Sequence, residues 1–224
     1  MFHPLDHPLE RGWVGRIDGD SVTQLAAQTL QSLLTGGGSA REHAVYPLAG
    51  VRFLAPVLHP PAVRIFEDQT TFAFANPAAV VGPGATVGHG DSLTLVPRLA
   101  AVIGLDGAVA GFTAFAEWRM PEAQAPKDRD FAFGLGPVVV TPNEVEFDGL
   151  AAVARVDGSE RWSCVFGEFD WTSARDLAAE GTRLTAGDLL AGPPPGYVHG
   201  ISPGSVAELE IEGIGVLHHG VAGA

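Results

Sequence analysis

The chain has 224 residues, 46 % of them hydrophobic, and a formal net charge of −13. That length suits one domain, or one domain with a small N-terminal appendage. The charge excludes a nucleic-acid binder, because phosphates call for a basic surface. No apolar run reaches the ~20 residues that a membrane span needs, and Met1 to Trp13 holds no signal-peptide core, so a cytoplasmic protein without membrane contact is expected. A single cysteine, Cys164, excludes an intrachain disulfide and a multi-cysteine metal site. The 29 Gly and 17 Pro favour a turn-rich β protein over a helical bundle. Of the 13 basic residues only Lys127 is a lysine. On so acidic a chain, a site for an anionic ligand needs local positive charge.

Trp13 to Ile17 has strand character, and Asp18-Gly19 makes a turn. Asp20 or Ser21 can then cap a helix. Val22, Leu25, Ala26, Leu30, Leu33 and Leu34 recur at helical spacing, and Gly36 to Gly38 stop the run. Residues 1–50 are thus expected to form a strand–helix appendage, with residues 51–224 as the main domain. His3 and His7 fall in an irregular start. From Val51 the pattern is β. Val63 to Phe66 is a short strand, and Asn76-Pro77 and Gly82-Pro83-Gly84 are turns. Leu99 to Ile103 is an apolar run bounded by Pro97 and Gly104, and Val109 to Phe115 starts the next strand. Ala116 to Asp130 is polar, contains Pro121 and Pro126, and reads as a loop. Val138–Thr141, Leu150–Val156, Trp162–Phe166 and Val206–Ile211 read as strands, with a hairpin turn at Asp157-Gly158. Thr172 or Ser173 can cap a short helix through Ala179, ended at Gly181. His218-His219 is expected at the surface, and of the histidines His199 is the one that can face a pocket. Cys164 reads as a small core residue.

The residues with chemistry to offer in the central strand pair are Arg98 and Glu117, which pairing of the two strands as a hairpin brings together. This region also carries a resemblance. The blocks Val51–Val57, Asn76–Gly84, Leu99–Gly104, Gly111–Trp118, Leu135-Gly136-Pro137 with Val140-Thr141-Pro142, and Glu208–Gly215 occur in the order found in the fumarylacetoacetate hydrolase family. The chain resembles that family over residues 51–217. The resemblance implies a β-rich α+β fold, a mixed β-roll, and a homodimer.

It also implies a site. In the family, a divalent cation, usually magnesium, is held by a Glu-x-Glu pair before the Val-Ile-Gly block and by an Asp in the next block. A hard cation wants several oxygen ligands and polarises the oxygens of a keto acid. Here the Glu-x-Glu positions hold Val96 and Arg98, and the Asp position holds Glu117. Valine cannot ligate and arginine repels a cation, so no metal is expected. The family's lid with its His-Glu pair is cut to the short stretch Glu67–Ala75, in which Glu67 and Asp68 can act as bases. Lys127 stands at the position of an active-site lysine, and Gln124 at that of a loop glutamine. The family's Ser-x-Arg is replaced by Arg119-Met120-Pro121, and its Gly-Thr loop by Gly192-Pro193.

Two functions follow from the resemblance. One is an enzyme on small 2-oxo acids or acylpyruvate-like carboxylates, hydrolysing carbon–carbon bonds, decarboxylating or isomerising them without the metal. In it Arg98 and Lys127 stabilise charge, Glu117 is acid or base, and Gln124, Phe66 and Glu67 contact the substrate. The other is a non-catalytic binding or regulatory protein that keeps the fold.

Overall fold

The computed structural model describes residues 1–9, 11–88, 90–145, 147 and 149–223. The N-terminal part contains β1 (Phe2–Pro4), β2 (Gly15–Asp18), β3 (Ser21–Ala26), α1 (Leu30–Leu34), β4 (Ser39–Pro47) and β5 (Val51–Phe53). The next stretch contains β6 (Val63–Phe66), β7 (Phe72–Ala75), β8 (Val80–Val81), β9 (Thr86–Val87), β10 (Leu93–Ile103), β11 (Val109–Arg119) and β12 (Phe133–Val140). The C-terminal part contains β13 (Ala151–Val156), β14 (Ser159–Val165), α2 (Trp171–Ala179), β15 (Leu189–Ala191), β16 (Val198–Ile201), β17 (Val206–Ile211) and β18 (Gly215–Val221).

The main sheet has the order β7-β6-β15-β10-β11-β12-β8, with β16 also paired to β10. It is mixed: β6 and β15 run parallel, as do β8 and β12, and the other pairs are antiparallel. A second sheet, β14-β13-β17-β18-β9, packs against one face of it. Trp118, Leu95 and Ile103 from the first sheet share that core with Leu209, Ile211 and Leu217 from the second. The other face of the main sheet carries a smaller core, with Phe115, Phe133, Val57 and Leu189. This is the expected β-rich fold.

β10 is buried along its whole length, which is why it reads as a continuous apolar run and not as an alternation. It is longer than expected and runs straight through Pro97. A proline in a central strand removes a donor from the ladder. Here β16 pairs with β10 up to Leu95 and β15 from Ala100 onwards. Pro97 and Arg98 sit in the gap between those two partners, where no neighbour calls for the missing N–H.

The long helix expected from Val22 to Leu34 does not form. Ser21–Ala26 is a strand between β2 and β4, and only Leu30–Leu34 is helical, capped by the Thr29 hydroxyl on Ser32 N at 3.1 Å. The turn that Asp18-Gly19 announces, with Gly19 at φ +57°, folds Val22 back onto Ile17. The β-branched Val22 and Thr23 then pair on both sides, so hairpin chemistry overrides a spacing that also suited a helix. The three-residue spacing of Val22 and Leu25 spans the irregularity in the β3–β4 register. Nor is the start of the chain irregular: β1 pairs with β5 across the expected boundary at residue 50, and His3 is buried. The C-terminal helix stands where expected, but its cap is Asp170, whose Oδ1 accepts from Thr172 N and Ser173 N. No described helix is long and apolar enough to cross a membrane.

Candidate functional site

Residues directly opposite in an antiparallel pair share a face, and alternate residues along a strand share it too. The β10–β11 register sets Thr94 opposite Arg119, Val96 opposite Glu117 and Arg98 opposite Phe115. One face of this hairpin therefore presents Thr94, Val96, Arg98, Glu117 and Arg119 together. Arg98 lies mid-strand and Glu117 near the end of β11, so they meet as diagonal neighbours.

The Arg98 side chain is completely buried, as is that of Glu117. Arg98 Nε donates to Glu117 Oε2 at 2.8 Å. Its Nη1 donates to the carbonyl of Phe66 at 2.7 Å and to that of Gly192 at 2.8 Å. Those carbonyls lie at the ends of β6 and β15, just where the ladder stops. The guanidinium thus satisfies two backbone acceptors that the gap in the sheet would leave bare. Arg98 Nη2 lies 2.7 Å from Glu117 Oε2 as an ion pair, off the direction of a hydrogen bond. Burial pulls the Arg98 guanidinium below its ordinary value, and Glu117 and Glu67 oppose that pull. It stays protonated, as arginine does throughout the range in which proteins fold.

The other oxygen of Glu117, Oε1, accepts from Arg119 Nε at 2.6 Å. Burial opposes the charge on Arg119, but Glu117 and Glu67 outweigh it and raise this guanidinium above its ordinary value. Around the outside stand Glu67, from the hairpin between β6 and β7, and Arg129, from the loop after β11. Glu67 Oε1 is 3.6 Å from Arg98, 3.7 Å from Arg119 and 3.8 Å from Arg129. Arg129 also pairs with Asp128 at 3.1 Å. Arg119 lies over the Tyr197 ring, Tyr197 stacks on His199, and His199 Nδ1 is 3.1 Å from the Thr94 hydroxyl. The charges balance: Arg98, Arg119 and Arg129 against Glu67, Glu117 and Asp128. Exposure grades outward, from none at Arg98 through 18 % at Arg119 to 39 % at Glu67 and 41 % at Arg129.

The expected site residues separate. Arg98, Glu117 and Glu67 come together. Phe66 joins through its carbonyl, while its ring packs on Phe72 and Phe169 in the core. Lys127 is 76 % exposed and pairs with Asp130 at 2.9 Å, outside the arginine cluster. Gln124 is exposed on the same loop. His199 faces the cluster, but His219 is not at the surface. It is buried against Trp118, and desolvation together with neighbouring His218 pushes its pKa down to about 4. The sequence reading passed over Arg119 and Arg129 as cluster members. For Arg119 the signal was its place two residues after Glu117 on the same strand, which puts both side chains on one face; Arg129 carried no local signal. A cavity of about 200 Å³, lined by Leu99, Phe166, Phe169, Trp171 and Pro193, lies on the opposite face of β10 from Arg98.

The family model described as fumarylacetoacetate (FAA) hydrolase C-terminal matches residues 59–222, which span the entire main sheet and its partner. The chain belongs to the fumarylacetoacetate hydrolase family. Solved structures of similar fold include a maleylpyruvate hydrolase from Sphingobium sp. SYK-6 in complex with manganese(II) and pyruvate. It is 19 % identical, with a TM-score of 0.79 over 96 % of this chain and 97 % of that one. A fumarylacetoacetate hydrolase from the psychrophile Exiguobacterium antarcticum is 21 % identical, with a TM-score of 0.79 over 96 % of each chain. A 2-hydroxyhepta-2,4-diene-1,7-dioate isomerase from Mycobacterium marinum is 19 % identical, with a TM-score of 0.75 over 94 % of this chain and 92 % of that one. At these identities the likeness is one of fold. No curated protein matches the chain in sequence. The positions at which the resemblance implies metal ligands, Val96, Arg98 and Glu117, include a single carboxylate. Among the described residues, no three His, Cys, Asp or Glu side chains converge on a point that a cation can occupy.

Proposed function

We propose that this family member binds and acts on a small 2-oxo acid or acylpyruvate-like carboxylate without a divalent cation, with arginine charge in the cation's place. One observation carries the reading: both oxygens of Glu117 are engaged by guanidinium groups, Oε2 by Arg98 and Oε1 by Arg119. The residues present do not fit a divalent cation. Val96 has no donor atom, Arg98 fills the second ligand position with positive charge, and the one carboxylate is already held from both sides. The same arginines suit a carboxylate, whose two oxygens match the fork of N–H groups on a guanidinium. Arg119 and Arg129, on the open side, hold the ligand. Arg98 behind them supplies fixed positive charge for an enolate oxygen, where preorganised donors in a dry site act strongly. A second reading, binding without turnover, is favoured by the same saturation of Glu117, which leaves it committed to two arginines and poorly placed to carry a proton. The family resemblance adds a homodimer to either reading, and a single-chain mass by light scattering at micromolar concentration removes it.

The test is to treat the protein with EDTA and titrate it with pyruvate, oxaloacetate and acetopyruvate. Saturable binding that Arg119→Gln abolishes is expected. Disappearance of oxaloacetate or acetopyruvate absorbance at catalytic protein concentrations separates turnover from binding. Binding that appears only when Mg²⁺ or Mn²⁺ is restored sinks the metal-free reading.

A further inference from the structure

Glu67 holds an unusual place in the cluster. Its Oε1 is 3.6 Å from Arg98 Nη2, 3.7 Å from Arg119 Nη2 and 3.8 Å from Arg129 Nη1. Three guanidinium groups surround one oxygen, and none reaches hydrogen-bond distance. Arg119 Nη2 is buried and has no hydrogen-bond partner, and Arg98 Nη2, also buried without one, touches Glu117 Oε2 only as an ion pair at 2.7 Å. Buried donors of charged groups are nearly always paired, and the unpaired Arg119 Nη2, 3.7 Å from Glu67, marks a place where an acceptor fits better than the one now there.

We propose that Glu67 is an internal stand-in for the carboxylate of the ligand, and that a small 2-oxo monocarboxylate displaces it. The inference rests on the reading above and adds the regulation of that site. Glu67 is free to leave. It is 39 % exposed, and its backbone is pinned independently of its side chain. Its N–H donates to the Thr71 carbonyl at 3.0 Å, and the adjoining turn is held by Asp68 Oδ1, which accepts from Thr70 N at 2.7 Å. Rotation about side-chain bonds therefore carries the carboxylate into water without unpicking the hairpin between β6 and β7. Charge then selects what replaces it. With Glu67 swung out, Arg98, Arg119 and Arg129 face only Glu117 and Asp128, and one excess positive charge remains beside the open Arg119 Nη2 donor. A single carboxylate restores the balance and makes the hydrogen bonds that Glu67 approaches without completing. The glutamate is thus a competitor tethered to the site, and the apparent affinity of the ligand is lowered by the fraction of time it is in place.

The experiment is calorimetric titration of the EDTA-treated full chain with pyruvate, in chloride-free buffer of low ionic strength. Wild type is compared with Glu67→Gln, Glu67→Ala and Arg119→Gln. Both Glu67 variants are expected to bind pyruvate at least tenfold more tightly than wild type, and Arg119→Gln to show no saturable binding. The alanine variant guards against a glutamine amide that stays in the site. If both Glu67 variants bind within twofold of wild type, or more weakly, while Arg119→Gln abolishes binding, Glu67 is no competitor and the carboxylate site itself stands. If no chain shows saturable binding, the carboxylate site falls and the displacement with it.

Discussion

Arg98 and Glu117 are joined diagonally across the β10–β11 ladder, Nε to Oε2 at 2.8 Å, with neither side chain exposed to any degree. The pair bridges more than two residues. Through Nη1 the arginine also ties the ends of β6 and β15 to the middle of β10.

Arg98→Ala leaves Glu117 with one partner and two carbonyls with none. Breaking a buried pair from one side costs on the order of 3–5 kcal/mol. Urea unfolding should show a loss of that size for the single variant. Arg98→Met combined with Glu117→Gln should recover part of it, because no uncompensated charge remains. A single-variant loss under about 1 kcal/mol, the range of an exposed pair, contradicts the description.

His219 sets an acid limit. Its pKa is about 4 in the folded chain against an ordinary 6.5, because burial disfavours the charged imidazole. Between those values the unfolded chain takes up a proton that the folded one refuses. Stability is fully present above pH 6.5 and falls as the pH drops towards 4, by about 3 kcal/mol in all at 1.36 kcal/mol per unit. His219→Phe keeps a ring against Trp118 and should flatten the unfolding free energy over that window. An unchanged pH profile in this variant assigns the acid sensitivity elsewhere.

Gly134 lies under the His219 ring, and a Cβ built there would overlap its Cε1. Gly134→Ala should destabilise the chain by roughly 1–3 kcal/mol, as overpacking of a dense core does. His219→Ala should relieve most of that cost. Thermal melts of the two single variants and the double variant form a cycle, and simple additivity would show that the two residues do not touch.

Val96→Glu with Arg98→Glu puts carboxylates at the two positions where the family resemblance implies metal ligands. It should still yield no stoichiometric Mg²⁺ site by calorimetry, because Arg119 continues to hold Glu117 Oε1 at 2.6 Å. Adding Arg119→Ser to the double variant removes that hold and should permit binding. Tight Mg²⁺ binding by the double variant alone would mean that Arg119 yields easily.

The strands of the second sheet were legible because short alternating runs are punctuated by Pro and Gly: Val206–Ile211 has the observed limits, and Asp157-Gly158 turns with φ +50° and +75°. The N-terminal sheet was not, since Val22 and Leu25 fit a helix as well as a bulged strand, and only pairing with β2 and β4 decides. At the site, Arg98 and Glu117 were found because consecutive strands pair. Arg129 and Tyr197 were not, because loop paths between distant elements bring them in and no local spacing encodes such a path. Lys127 shows the converse. The family resemblance pointed it to the site, but an exposed loop and the neighbouring Asp130 hold it at the surface.

The charge-balanced cluster on a chain of net charge −13 also bears on the rate of encounter. A positive funnel speeds the arrival of an anion, and salt weakens the effect by screening it. Here the cluster is neutral while Glu67 is in place, and the rest of the surface repels. An approaching carboxylate meets a barrier at long range and finds attraction only in contact. Added salt should therefore raise the association rate constant of pyruvate, while it weakens the ion pairs formed after arrival and raises the dissociation rate constant.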